Sequence, residues 1–176
     1  MMKKTIRLGA ILFSLMAFSL LFTSCSPSTE KASSAGEELN YKLLDTAKWK
    51  AECRLDADHV LWMSFENPED KTYSCFALTA WQLSAADWYV CQKKVGEHWV
   101  DVGLNSALIF DHFPECRHAV PGEKQELPVN LEHWGGALKP GDSVRILLGM
   151  DRGELYSKDI FNRRPTCWLS FTCIYR

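Results

Sequence analysis

From residue 59 onward the chain alternates between apolar and polar positions with a period of two. "HVLWMSFEN" (59–67) sets Leu61, Met63 and Phe65 on one face and Val60 and Trp62 on the other, so both faces of this strand are largely apolar. "NPEDK" then supplies a turn, and "TYSCFAL" follows as a second run. "WYVCQKK", "VGE" and "HWVDV" read as strand, turn and strand, a hairpin centred near Gly96. In "QELPVNL" Leu127, Val129 and Leu131 alternate, and in "DSVRILLGM" Val144, Ile146, Leu148 and Met150 do so. The last run, "CWLSFTCIYR", places Leu169, Phe171 and Cys173 on one face and Trp168 and Ile174 on the other. Short strands separated by turn chemistry, with no long 3.6-residue pattern, predict an all-β antiparallel sandwich over 59–176. The segment 41–58, "YKLLDTAKWKAECRL" and its continuation, leads into it as a short helix or an irregular stretch. The longest piece without a strand pattern is roughly 103–122, with an edge strand expected around Leu108–Phe110.

Ahead of residue 41 the pattern changes twice. Lys3, Lys4 and Arg7 precede an apolar run from Leu8 to Phe22. That run is shorter than the roughly 20 residues a membrane-spanning helix needs, and it predicts a secretory signal peptide over 1–24. Phe22-Thr23-Ser24-Cys25 resembles a bacterial lipobox, with Phe22 in place of the usual Leu. The resemblance implies cleavage before Cys25, diacylglycerol on its sulfur and acylation of the new amino group with a palmitate-type chain. Two or three chains anchor stably, at about 0.8 kcal/mol per buried methylene, where one does not. The following "SPSTEKASSAGEELN" is too polar to order itself, so 25–40 is expected to be a lipidated cysteine and a flexible spacer. Ser26 lacks the aspartate that retains some lipoproteins in the inner membrane, which in a Gram-negative cell implies the outer membrane.

Removing residues 1–24 takes away three cations and no carboxylate. The 20 Lys+Arg then fall to 17 against 22 Asp+Glu, a net of −5 that disfavours a nucleic-acid partner. Six cysteines remain, Cys53, Cys75, Cys91, Cys116, Cys167 and Cys173. In an exported chain they are compatible with up to three disulfides in any of 15 pairings, or with free buried thiols.

One stretch resembles a known family. "LPVNLEHWGGALKPGDSVRILLGM" (127–150) is similar to the C-terminal half of a bacterial Ig-like domain family of exported lipoproteins. Trp134-Gly135, Leu138, Pro140-Gly141 and Arg145-Ile146 stand near the family's motif positions, and "WYVCQKKVGEHWVDV" resembles its hairpin. The resemblance covers about 60–150 and extends towards 175; it implies an Ig-like sandwich and no particular function. The residues support the same local reading directly: Pro140-Gly141 preset a tight turn, Trp134 caps one end of the sandwich, and Gly135 and Gly136 let backbones approach.

Candidate chemistry is sparse. "DHFPECRH" gathers Asp111, His112, Glu115, Cys116 and His118, with His112, Cys116 and His118 as competent metal ligands, although on a loop such clusters are more often incidental. Among seven tryptophans, Trp81 and Trp88 flank "QLSAAD" and would suit stacking on sugar rings if exposed, against the commoner role of core filling. "MDRGELYSKD" (150–159) is a recognition loop or a solvated turn. No Gly-x-Ser-x-Gly elbow, phosphate-cradling glycine loop or His-Glu-x-x-His occurs, so neither catalysis nor a cofactor is expected. The sequence therefore predicts an envelope lipoprotein, held to a membrane by its N-terminal lipid, with a non-catalytic Ig-like recognition module for a protein or glycan partner. The alternatives are a carbohydrate-binding lipoprotein, and an inhibitor or envelope-protein chaperone acting through 103–122 or 150–166.

Overall fold

The structure, a computed structural model, describes residues 41–77, 87–103, 115–134, 136–156, 158–159 and 162–176. Cys25 and everything else before Tyr41, together with Trp81, Leu108–Phe110, Asp111, His112 and Gly135, lie outside the described residues. Among the described residues there are nine strands: β1 (Glu52–Leu55), β2 (Val60–Glu66), β3 (Tyr73–Ala77), β4 (Tyr89–Val95), β5 (His98–Val102), β6 (Glu115–Ala119), β7 (Lys124–Asn130), β8 (Ser143–Arg152) and β9 (Cys167–Ile174). All named strand pairs are antiparallel. The smaller sheet has the order β1-β2-β7 and the larger β5-β4-β8-β3-β6, with β9 also paired to β8. The result is an all-β sandwich of antiparallel sheets, consistent with an Ig-like fold.

The two-residue period explains the core. Leu61, Met63 and Phe65 of β2, Leu127 and Val129 of β7, and Val144, Ile146, Leu148 and Met150 of β8 are all buried, as are Leu169 and Phe171 of β9. Each strand thus sends every second side chain between the sheets. The β4–β5 hairpin turns at Gly96, whose φ of 61° favours glycine. Asn67, fully buried just after β2, donates through Nδ2 to the carbonyls of Lys71 and Ala119, both at 2.7 Å. It thereby ties the rim of the smaller sheet to β6 of the larger.

Three sequence expectations need correction. The segment 41–58 contains no helix: Asp45 caps a single turn by accepting from the Ala47 and Lys48 amides, and Lys50, at φ 45°, ends it. The chain then becomes β1, so the sandwich begins before residue 59. That turn places Trp49 in the core, edge-on to Tyr73 at 5.1 Å. Within 103–122, where an edge strand was expected around Leu108–Phe110, the described strand is Glu115–Ala119, paired with β3. Around the family-like motif, Trp134 is buried at 1 % exposure in a 3-10 turn (Leu131–Trp134), and Gly141 turns at φ 96° with Asp142 accepting from the Lys139 amide. Gly136 differs from expectation: it has open space around it, and a φ of 84° is what calls for glycine there.

Candidate functional site

A cluster of polar and aromatic side chains lies on the outer face of the larger sheet. Alternation dictates it: while Cys91, Ile146 and Phe171 point inwards, their neighbours Gln92, Arg145 and Thr172 point outwards. The register aligns Asp101 of β5 with Gln92 of β4, Gln92 with Arg145 of β8, and Arg145 with Thr172 of β9. Four strands thus contribute one residue each to a single transverse row.

Hydrogen bonds join three of the four, Asp101, Gln92 and Arg145, and strand register alone sets Thr172 beside Arg145. Gln92 Nε2 donates to Asp101 Oδ1 at 2.7 Å, and Arg145 Nε donates to Gln92 Oε1 at 2.7 Å. Gln92 is only 3 % exposed, so its amide depends on both partners. The Arg145 guanidinium lies 4.5 Å from the Trp99 ring centroid, a cation–π contact worth about 0.5–1 kcal/mol at an exposed site. Tyr41 completes the group: its hydroxyl donates to Asp101 Oδ2 at 3.2 Å, and its ring meets Trp168 edge-on at 5.2 Å. Burial, and then the Asp101 charge, push the Tyr41 phenol up to about 12, so it stays a neutral donor at physiological pH. Asp101, Arg145 and Thr172 therefore form a preorganised polar strip with half-buried Trp99 and Trp168 beside it.

Elsewhere on the same sheet the outer face is covered. Ser74 Oγ donates to the Gly153 carbonyl at 2.6 Å, accepts the Leu155 amide at 3.0 Å and lies 3.0 Å from His118 Nδ1. This Ser–His contact is not a nucleophile–base pair: the hydroxyl proton is committed to Gly153, Ser74 is fully buried, and Nδ1 is left to donate. Cys116 Sγ donates to the Leu155 carbonyl at 3.1 Å. The connection after β8 is therefore fastened to the sheet rather than solvated throughout. Asp151 pairs with Arg163 at 3.0 Å and accepts from Thr166 Oγ1 at 2.9 Å, while Arg164 pairs with Asp87. Gly149 permits this covering, because a Cβ there would lie 2.9 Å from Pro165 Cβ and 3.1 Å from the Trp88 carbonyl.

The residues singled out from sequence fare differently. Trp88 is fully buried and packs edge-on against Phe76 at 4.6 Å, so it offers no stacking surface; Trp81 lies outside the described residues. Cys116 and His118 stand on one face of β6, but both are engaged in the bonds above. Among the described residues no group of three potential ligands could hold a metal, and His112 lies outside them. All six cysteines Cys53, Cys75, Cys91, Cys116, Cys167 and Cys173 are free thiols. The outer row was not anticipated; the signal available was a polar residue at alternate positions of otherwise apolar strands, Gln92 in β4 and Arg145 in β8.

Compared with protein-family models, curated proteins and solved structures, the chain matches none. The class defined here is an antiparallel β-sandwich with an aromatic and polar strip on one sheet face.

Proposed function

We propose that the protein is a lipid-anchored module of a bacterial cell envelope, and that its sandwich recognises another macromolecule without making or breaking bonds. The observation that carries the recognition reading is the row Asp101–Gln92–Arg145–Thr172, aligned across four strands and flanked by half-buried Trp99 and Trp168. Aromatic rings and arginine held in place by hydrogen bonds lose little conformational entropy on association, which is why such groups dominate recognition surfaces. The nucleophile-bearing groups Ser74 and Cys116 sit instead in structural hydrogen bonds. The lipid at Cys25 and the flexible spacer to residue 40 would tether the sandwich to a membrane.

Site-directed photo-crosslinking in the native envelope tests the reading. A photoreactive residue at exposed Thr172 is expected to give a discrete adduct that falls at least severalfold with Arg145→Ala. The same probe at Glu126, on the outside of the smaller sheet, is expected to give none. Equal labelling at both positions, or none at Thr172, would refute recognition through this face. A polydisperse glycan adduct in place of a discrete protein band would favour the second reading, a carbohydrate partner, for which Trp99 and Trp168 are the half-exposed aromatics on this face.

A further inference from the structure

Strand parity and register sort the six thiols of the described residues. Cys75 aligns with Arg117 and points into the core, whereas Cys116 aligns with Phe76 and lies on the other face of the same sheet, so these neighbours cannot join. Cys91 and Cys173 share the core face, but β8 runs between their strands. That separates them by two strand spacings, roughly 9.6 Å, beyond disulfide reach. Cys167 shares a strand with Cys173, about 20 Å away along it.

Cys53 and Cys173 stand apart from these. Cys53 is on β1, which among the described strands pairs only with β2, and Cys173 is on β9; both are half-buried and pack against the core. Cys53 Sγ lies 3.3 Å from the carbonyl oxygen of Thr172, the residue bonded to Cys173. Planar peptide geometry keeps that oxygen within about 2.8 Å of the next Cα, so the Cys53 sulfur lies within about 6 Å of the Cys173 Cα. Side-chain rotation and a small shift of the singly paired strand suffice to close the gap.

We infer that Cys53 and Cys173 are the disulfide site of this fold, a covalent stitch between the edge of the smaller sheet and β9. In the cell the inference rests on the envelope reading, since the oxidant is a disulfide-bearing donor of the space outside the cytoplasm. One cysteine thiolate attacks the donor disulfide, forming a mixed disulfide and releasing one donor thiol. The second thiolate attacks the mixed disulfide at the protein sulfur, forming the S–S bond and releasing the other donor sulfur as a thiol. The donor gains two electrons and the two protons the cysteines lose. Burial, and then the Cys53 charge, push the Cys173 thiol up to about 11, and burial pushes Cys53 up as well. Thiolate is therefore scarce at neutral pH, and oxidation without a catalyst should accelerate as pH rises.

The test uses the purified full-length chain, oxidised with glutathione disulfide and mapped by non-reducing peptide mass spectrometry. A Cys53–Cys173 linked peptide is expected as the main product. It closes a loop spanning β2 to β8, and should raise the melting midpoint by about 10–20 °C. Cys53→Ser should stay folded, carry a single glutathione at Cys173 and show no such rise. Separate glutathione adducts on Cys53 and Cys173, or Cys173 joined to another cysteine, would overturn the pairing. Protein recovered from the envelope with the linked peptide supports pairing and export together. A bond that closes in vitro while both thiols stay free in cells counts against the envelope reading and leaves the pairing intact.

Discussion

Trp134→Ala is expected to cost about 3–5 kcal/mol of folding stability, the range for truncating a large buried aromatic. Trp134 is 1 % exposed and belongs to the continuous core formed by both sheets. Its turn is held by Asn130 Oδ1, which accepts the Glu132 amide at 2.8 Å, and by the Leu131 amide donating to the His59 carbonyl at 2.9 Å. The backbone around the missing ring is thus fixed at several points and cannot collapse into the space, so the cavity remains. A domain of this size is stable by about 5–15 kcal/mol, and the variant should lie near the threshold of folding. Urea unfolding should show a lowered midpoint with an unchanged slope. A loss under 1 kcal/mol would mean that Trp134 does not belong to the core.

Alkaline pH is expected to destabilise the reduced protein by several kcal/mol between about pH 9 and pH 12. Burial is the largest cause of the raised pKa of all six thiols, carrying Cys75 and Cys91 up to about 12 and Cys173 to about 11. In the unfolded chain a thiol titrates near 8.5, and each unit of difference corresponds to about 1.4 kcal/mol. The folded state therefore holds more protons over this window. The contribution is complete below the unfolded value and is lost as pH climbs towards the folded one. Cys75 and Cys91, both raised to about 12, should account for the largest shares, so Cys75→Ala should flatten the profile even though it removes some packing. Denaturant midpoints of the reduced protein measured from pH 8 to pH 11 check this; a level profile would refute it.

Much of the fold was legible in the strands, because the period of two survives wherever one face is buried. Leu61-Met63-Phe65, Val144 to Met150 and Leu169-Phe171 show it plainly, and all of them line the core. Glu115–Ala119 was not legible: on an edge strand Glu115 and Arg117 are exposed, and a strand with only Ala119 fully buried looks like loop chemistry. β1 was hidden for a similar reason, since four residues carry too little pattern. Trp88 misled in another way. It stands in a turn just before β4, where an exposed ring would be expected. The connection after β8 brings Pro165 over Gly149 at that place, and this long-range covering leaves no mark near residue 88.

The polar strip was illegible for a topological reason. Asp101 and Gln92 belong to one hairpin, but Arg145 and Thr172 are separated from it, and from each other, by long stretches of chain. Only the strand order β5-β4-β8 with β9 on the far side of β8 brings the four into line. Single-strand patterns reveal which residues face outwards; they do not reveal neighbours across a sheet.

Hydroxyl-radical footprinting of the native protein in its envelope, compared with the purified protein, tests recognition through this face most directly. Trp99 and Trp168 on the larger sheet and Trp62 on the smaller are all half-exposed, so each reports its own side of the sandwich. Oxidation of Trp99 and Trp168 is expected to fall in the envelope while that of Trp62 is unchanged. Protection of Trp62 alone, or the same oxidation of all three in both settings, would contradict it.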